Sequence, residues 1–313
     1  MLNYILRRLG QAVIVLIIVS LIVFGLLHVL PGGLVRAQLG PKASKFAVHQ
    51  LTVQEGLTKP VPVQYAIWFW HLLRGTLGYS YTENTPVSSL LTEFFLRTLL
   101  LAGSALALTV LLAVPLGVLQ GARRNKSVDY AVSGSLLAVY SMPTFLLGVI
   151  FIFILSIKFH VLPTTATNFG QSIVADVRAL VLPILTLSIG NIAYFSRYVR
   201  SSVIDNLGEE YVRTARAKGV GGKRILVRHV LRNSLLPFIS VVGISLPTIV
   251  SGALIVEVLF HYPGLGTLYW TSQQHRTYPV LLGIVLILTA AVVVGNLLAD
   301  LTYAALDPRI RYV

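Results

Sequence analysis

Long apolar stretches alternate with polar segments along most of the chain. Six apolar blocks lie at about 9–30, 98–120, 131–157, 179–199, 235–259 and 280–304. Each is long enough for a helix to cross a hydrocarbon core, which takes roughly 20 residues. Four blocks contain a proline, which membrane helices tolerate because neighbouring helices can satisfy the freed backbone groups. The pattern predicts an all-α integral membrane protein with six transmembrane helices, the first at 1–30.

Composition agrees with a chain dissolved in lipid. Hydrophobic residues make up 55% of the sequence and charged residues 12%, against roughly 25% charged in soluble proteins. The net charge is +14, and 16 of the 25 Lys and Arg residues fall on the side that holds both chain ends and the 121–130 and 197–234 loops. Positive charge collects on the cytoplasmic face. We therefore expect cytoplasmic N- and C-termini and contact with anionic membrane lipid, and no nucleic-acid partner.

The segment at 31–96 is expected to form a small extracytoplasmic subdomain between the first and second spans. It contains a stripe at helical spacing, made of Tyr65, Trp68, Phe69, Leu72 and Leu73. This stripe either lies at the membrane interface or packs in the core of the subdomain, and Gly75, Gly78 and Pro86 are interpreted as turns after it. The chain has no cysteine, which excludes disulfides and thiolate metal sites, and no metal site is predicted.

The 197–234 loop has a pattern of its own. Apolar residues recur at steps of three and four, which predicts an amphipathic helix at about 207–218. Asn206 is its predicted N-cap, with Glu209 in a variant of the capping box, and Gly219 is a natural stop. A second helix is predicted to begin near Lys223 and to run into the fifth span. The pair is either a rigid knob that transmits force from a soluble partner or a basic hairpin lying on anionic lipid.

Specific residues of this loop resemble a known family. Residues 210–219 read Glu-Tyr-Val-Arg-Thr-Ala-Arg-Ala-Lys-Gly and continue through Arg228-His229 to Leu236-Pro237. This run resembles the cytoplasmic coupling loop of binding-protein-dependent ABC importers, in the subfamily for dipeptides, oligopeptides and nickel. Pro263-Gly264-Leu265-Gly266 and Asp307-Pro308-Arg309 agree with the same subfamily, and the resemblance covers essentially the whole chain.

Several positions depart from the family's pattern. The broader superfamily opens the loop with Glu-Ala-Ala, where this chain has Arg213-Thr214-Ala215. The subfamily often has Asp where this chain has Gly33, Thr76 and Thr277. Those three positions lie on the predicted outer side. They leave the solute open among dipeptides, oligopeptides, nickel chelates, glutathione and haem.

The resemblance implies the architecture of a type I ABC importer permease in a bacterial cell membrane. Its transmembrane domain would cover 97–306, with a coupling loop at about 200–234 and a cytoplasmic tail at 307–313. The implied partners in peptide uptake are a second homologous permease subunit, two ATP-binding subunits and an extracytoplasmic solute-binding protein. The residues that it assigns to the ATPase-coupling helix are Glu210, Tyr211, Arg213, Thr214, Ala215, Ala217 and Gly219.

The sequence contains no nucleotide-binding loop. Such a loop requires Gly-x-x-x-x-Gly-Lys followed by Ser or Thr. Here Gly222-Lys223 is followed by Arg224, and Ala217 stands where the first glycine is needed. We therefore expect a subunit with no catalytic site and no cofactor of its own, with ATP and Mg²⁺ bound by partner ATPase subunits.

Glu257 is the only carboxylate well inside a predicted span. An ionisable residue within the membrane is a functional candidate, and roles in the translocation pathway or at the helix end both fit it. Asn191, Tyr140 and Asn296 are further pathway candidates. A secondary transporter of small solutes is the alternative function. Such proteins usually show internal repeats and interrupted helices, and the two halves of this sequence show no convincing repeat.

Overall fold

The computed structural model describes residues 2–29, 35–36, 39, 43–54, 57–80, 83–167, 170 and 172–306. Its helices are α1 (Leu2–Val29), α2 (Lys45–Gln54), α3 (Val61–Leu73), α4 (Val87–Ala122), α5 (Ser127–Tyr140), α6 (Thr144–Phe151), α7 (Ile173–Gly208), α8 (Glu210–Ala217), α9 (Gly222–Ile225), α10 (Leu231–Phe260), α11 (Leu265–Gln274) and α12 (Tyr278–Leu306). Strands β1 (Tyr79–Ser80) and β2 (Thr85–Pro86) pair antiparallel. The predicted all-α class is confirmed. Gly33 and the tail at 307–313 lie outside the described residues.

Five described helical segments are long and apolar enough to cross a membrane: Leu6–Leu26, Val87–Ala122, Ile173–Gly208, Gly222–Phe260 and Tyr278–Leu298. A sixth candidate consists of two helical arms, Ser127–Tyr140 and Thr144–Lys158, that bend by 102° at their junction. The predicted third span at 131–157 falls on this bent pair, which is a candidate span but not one straight helix. Its break falls before Pro143, which has a ψ of 138°, and the residue preceding a proline is disfavoured in the helical region.

Helices α4 and α7 are longer than the spans predicted within them. Each has 36 residues, or about 54 Å at the usual rise per residue. α4 begins inside the segment assigned to the extracytoplasmic subdomain, and α7 extends beyond 179–199 in both directions. The hydrophobic pattern marks only the part of a helix that faces lipid or apolar core, so it misses polar turns at both ends.

The chain divides into two compact units. Unit 1 comprises Met1–Arg97 with Pro263–Leu297, and unit 2 comprises Thr98–Tyr262 with Leu298–Val313. The segment boundaries predicted at 30, 96 and 306 divide the chain by where it crosses the membrane. The two compact units divide it by contacts between residues, so they do not test those boundaries. The boundaries stay predictions.

Within unit 1, the aromatic stripe forms α3 as predicted and packs against α1. The ring of Phe24 lies 5.3 Å from that of Tyr65 and 5.7 Å from that of Trp68, measured between centroids. The buried Gln64 side chain donates to the carbonyl oxygen of Lys59 at 2.7 Å, and its own oxygen lies 2.9 Å from His28 Nε2. The start of this segment is thereby tied to the end of the first span.

Of the turns predicted after α3, the one at Gly75 is confirmed and those at Gly78 and Pro86 are not. Gly75 and Gly78 adopt φ values of +76° and +91°, a region that glycine enters without steric cost. Pro86 does not form a turn. It lies in β2, opposite Tyr79.

Within unit 2, α4 presents a buried stripe of small side chains to α7. Its members recur every four residues, at Ala105, Thr109, Ala113, Gly117 and Gly121. Ser188 Oγ of α7 donates to the carbonyl oxygen of Ala105 at 3.0 Å. A methyl group on Gly117 would lie 2.6 Å from the carbonyl oxygen of Ser196. Lipid gives apolar helices no hydrophobic reason to associate, so close approach of small residues and hydrogen bonds hold such pairs together.

The close approach at Gly117 yields a stability prediction. Replacing Gly117 with Ala forces a methyl group against the α7 backbone, and overpacking of this kind costs roughly 1–3 kcal/mol. Gly103 of the same helix has open space where its Cβ would be, so Gly103→Ala is the matched control and should be neutral or slightly stabilising. Thermal unfolding of the purified protein in detergent measures both. Equal midpoints for the two variants would contradict the packing described.

Candidate functional site

The predicted amphipathic helix of the 197–234 loop exists as α8, but it starts later than expected. α7 continues through Gly208, and Glu209 is the N-cap of α8 with φ −68° and ψ 152°. Asn206 was predicted as the cap and instead lies in the last turn of α7. There its amide donates to the carbonyl oxygen of Ser202 at 2.9 Å. The prediction failed because Asn favours caps and turns but also continues a helix that tertiary packing extends.

The end of α8 agrees with the prediction at Gly219. Gly219 adopts φ +77°, and its N–H donates to the carbonyl oxygen of Arg216 at 2.9 Å. The N–H of Val220 donates to the carbonyl oxygen of Ala215 at 3.1 Å. These two bonds form a Schellman motif, which satisfies carbonyl groups at a helix C-terminus and favours glycine at the left-handed position. The chain therefore turns sharply at a defined residue.

The seven residues predicted for the coupling helix divide between two faces. The exposed side chains are those of Glu210, Arg213, Thr214 and Ala217, and Gly219 is exposed beyond them. Tyr211 and Ala215 are half-buried on the opposite face, on either side of the fully buried Val212. Glu210 in the first turn and Arg216 in the last both complement the helix dipole. The helix thus shows a mixed polar surface outwards and a narrow apolar stripe inwards.

The inward stripe joins α8 to a continuous apolar core. Val212 belongs to one buried cluster with Val199 and Val203 of α7, Ile225 of α9 and Phe238 of α10. The hydroxyl of Tyr211 donates to Asn206 Oδ1 at 2.9 Å. These contacts fix α8 to the ends of two long helices on either side of it in the chain.

A reciprocal pair of hydrogen bonds joins those two long helices next to α8. Ser202 Oγ donates to the carbonyl oxygen of Ser234 at 3.1 Å, and Ser234 Oγ donates to that of Ser202 at 3.3 Å. The second helix of the loop begins at Gly222, as predicted near Lys223, and continues through a π-helical turn at Leu226–Val230 into α10. The loop is therefore a helix pair joined directly to two long apolar helices.

The four pathway candidates lie on four different helices. Glu257 is completely buried in α10, one turn before its end at Phe260. Asn191 of α7 is half-buried, and its amide donates to the carbonyl oxygen of Leu187 at 2.8 Å. Tyr140 ends α5 and is exposed, as is Asn296 of α12. The burial of Glu257 sets it apart from the other three.

An ion pair that the sequence analysis missed lies in the same unit as α8. Arg200 of α7 donates to Asp129 of α5 through Nε and Nη2, both at 2.7 Å. The Asp129 side chain is 2% exposed and that of Arg200 29%. Both residues lie at the border of a predicted span, which is the only feature of the sequence that could have drawn attention to them. No local pattern in one sequence indicates that two residues 71 positions apart form an ion pair.

The comparisons with known proteins cover the whole chain. Residues 113–312 match the family described as binding-protein-dependent transport system inner membrane component. Residues 1–102 match the N-terminal family of the membrane components of such systems. Among solved structures, the MetNI methionine ABC transporter in inward-facing conformations contains a chain with a TM-score of 0.58 and 18% identity. The match covers 70% of this chain and 96% of that one, which shows a shared fold and confirms the predicted permease architecture.

Curated relatives match over nearly their full length. The oligopeptide transport system permease protein AppB of Bacillus subtilis (strain 168) is 36% identical over 313 residues, or 99% of each chain. The dipeptide transport system permease protein DppB of Escherichia coli (strain K12) is 34% identical over 337 residues, covering 100% of this chain and 99% of that protein. These matches confirm the family that residues 210–219 resemble. The chain belongs to the binding-protein-dependent transport system inner membrane components.

Proposed function

We propose that this chain is a permease subunit of an ATP-driven importer that takes up peptides delivered by a solute-binding protein. Membership of the family and the names of AppB and DppB support the transport class and the peptide substrate. The observation that carries the proposal is the mounting of α8. An eight-residue helix with an exposed polar face is fixed by buried Val212 to the core formed with α7 and α10.

This mounting suits the transmission of force. A partner subunit that grips Glu210, Arg213, Thr214 and Ala217 would move α8, and closely packed cores transmit displacement because they have low compressibility. The displacement would pass through Val212 to α7 and α10. A hairpin lying on lipid needs an outward apolar face, whereas the outward face of α8 is mainly polar, with Val212 buried and Tyr211 and Ala215 half-buried on the opposite face. The knob interpretation is therefore preferred over the lipid-bound hairpin.

The subunit needs partners that supply energy, solute and the rest of the pathway. ATP and Mg²⁺ would be bound by two ATP-binding subunits, each receiving one coupling helix, and this chain would contribute no catalytic group. A second homologous permease subunit would complete the pathway. In the resulting two-state cycle, nucleotide must favour one conformation by about 5 kcal/mol to change its population from nearly absent to nearly complete.

The distribution of positive charge supports the orientation. Arg213, Arg216, Arg224 and Arg228 are all exposed in the helix pair that contains α8. Since basic residues are enriched on the cytoplasmic side, this pair and both chain termini would face the cytoplasm of a bacterial cell, with the chain in its inner membrane. The ATP-binding subunits would then meet α8 where ATP is available.

Glu257 is the proposed pathway residue. It is the one pathway candidate that is completely buried, and an ionisable residue within a membrane-spanning helix is a functional candidate. A position one turn from the end of α10 would suit a gate at one mouth of the pathway. Asn191, Tyr140 and Asn296 remain candidates for its lining.

The energy source is the first testable prediction. Proteoliposomes containing this chain, its partner permease, both ATP-binding subunits and the solute-binding protein should accumulate a labelled dipeptide or oligopeptide only when ATP is supplied to the side that carries α8. A proton or sodium gradient without ATP should give no accumulation. Uptake driven by such a gradient alone would instead identify a secondary transporter.

A substitution on the exposed face of α8 tests the coupling role. Ala217→Arg adds a long charged side chain at an exposed position, so folding should be preserved while docking of the ATP-binding subunit is blocked. ATP-dependent uptake should fall by roughly the 5- to 150-fold typical of lost coupling between sites. The matched control is Ala122→Arg, an equally exposed alanine at the end of α4, which should transport normally. Normal uptake by both variants at equal membrane abundance would count against the coupling role.

Glu257→Gln tests the pathway role with almost no change of shape. Peptide uptake should fall by about tenfold or more, a barrier increase of ~1.4 kcal/mol, while ATP hydrolysis by the complex is less affected. Glu93→Gln makes the same change at a carboxylate that is 56% exposed and serves as the control. If uptake falls only in proportion to subunit abundance, Glu257 has a structural role at the helix end instead.

A further inference from the structure

Beyond the helix proposed to meet the ATP-binding subunits, a partly buried polar network joins α4, α5 and α7. Its members are Gln120 of α4, Ser133 and Asp129 of α5, and Arg200 of α7, and we call this set the polar clamp. Gln120 Nε2 donates to Ser133 Oγ at 2.9 Å, and Ser133 Oγ donates to Asp129 Oδ1 at 3.4 Å. The two bonds from Arg200 complete a continuous path across three helices.

The hydrogen bonds to Asp129 fix the position of α7 relative to α5, in addition to neutralising the carboxylate charge. One oxygen accepts from Arg200 Nε and from Ser133 Oγ, and the other accepts from Arg200 Nη2 and from the backbone N–H of Asn125 at 3.0 Å. A bidentate guanidinium–carboxylate pair is planar and directional. Asn125 holds φ +61°, which directs its N–H at the carboxylate. Rotation or sliding of α7 against α5 would break two short bonds at once.

The position of Arg200 connects this geometry to α8. Arg200 lies one helical turn before Val203, which shares a buried cluster with Val212 of α8. The carbonyl oxygen of Arg200 and the side chain of Val203 both lie against Gly121 of α4, at 3.1 and 2.7 Å from where its Cβ would be. The polar clamp, the small-residue stripe and the mounting of α8 therefore meet at the same end of α7.

The Asp129 side chain is buried and that of Arg200 is half-buried. Such an ion pair is a poor choice for stability alone, because the cost of desolvating the charges commonly cancels much of their attraction. An apolar contact of the same size would hold the helices together but would allow them to slide. What the ion pair supplies is one fixed register between α5 and α7. This register matters only if force acts on one helix and must reach the other.

We propose that Asp129 and Arg200 are positioning residues for energy coupling. They make α4 and α5 move with α7 as one block when the ATP-binding subunits displace α8. The inference rests on the proposed coupling role of α8. It extends that role to α4 and α5, which are not neighbours of α8 in the chain. Neither residue touches solute or nucleotide in this scheme.

The test measures the number of peptide molecules imported per ATP hydrolysed in the reconstituted complex. Asp129→Asn removes the charge but keeps an acceptor, and Arg200→Lys keeps the charge but loses the planar fork. Both should lower this ratio by about five- to tenfold, within the range of coupling effects between sites. The double variant Asp129→Asn/Arg200→Gln leaves no unpaired buried charge. It should keep the subunit abundance of the unmodified protein while the ratio stays lowered.

Glu93→Gln is the matched control, because it breaks the ion pair between Glu93 and Arg97 on α4, outside the clamp. Its transport ratio should equal that of the unmodified protein. A role in stability alone would lower uptake and ATP hydrolysis of the clamp variants together, with the ratio unchanged, and would overturn the proposal.

A distance measurement tests the block directly. The chain has no cysteine, so spin labels attach to this subunit only at introduced positions. Labels at Arg124→Cys and Arg216→Cys, two exposed sites on either side of the clamp, should show one distance with and without ATP. Adding Asp129→Asn should broaden or shift the distribution of distances between the two labels. A nucleotide-dependent distance in the otherwise unmodified subunit would overturn the proposal.

These outcomes separate the inference from the function beneath it. If transport requires ATP and Ala217→Arg lowers it as expected, yet the clamp variants keep a normal ratio, the proposed function stands and the inference fails. If transport is independent of ATP, both fail.

Discussion

Close contact between α4 and α7 is the constraint on which the arrangement of unit 2 depends. Every fourth residue of α4 from Ala105 to Gly121 is small and buried, and only such residues let the α7 backbone approach without collision. In lipid, apolar area drives little association, so the fit of backbone to backbone and a few hydrogen bonds must do so. At the end of the stripe, Gly121 lies against Arg200 and Val203 of α7, so the same contact positions the ion pair at Asp129 and the part of α7 on which α8 packs.

Much of the fold could be read from the sequence because lipid imposes a simple rule on it. A spanning helix must be apolar over its whole crossing, so five of the six predicted spans correspond to continuous helices. The third predicted span does not correspond to a continuous helix. Hydropathy depends on composition and carries no information about the direction of the chain, and the chain bends by 102° at Pro143 while the apolar run continues. The start of α8 was misplaced for a similar reason. Packing of Val203 and its neighbours extends α7 past Asn206, a residue whose local preference favours a cap.

The candidate site shows the same division between local and distant causes. Gly219 and the faces of α8 follow from spacing along a few turns, and the structure places them as the pattern indicates. Asp129 and Arg200 depend on the meeting of two helices 71 residues apart, which no local pattern in one sequence reveals. Gln64 and His28 of unit 1 are a further example. They are 36 positions apart in the sequence, and their hydrogen bond forms only once α3 packs on α1.

The length of α7 has a consequence for how the protein tolerates different membranes. A bilayer core about 30 Å thick leaves more than a third of this 36-residue helix outside hydrocarbon. A thicker or thinner bilayer would change how far the helix tilts, at a small cost for each ångström of mismatch. Val203 of α7 and Val212 of α8 share one buried cluster, so α8 would follow the end of α7 when the tilt changes.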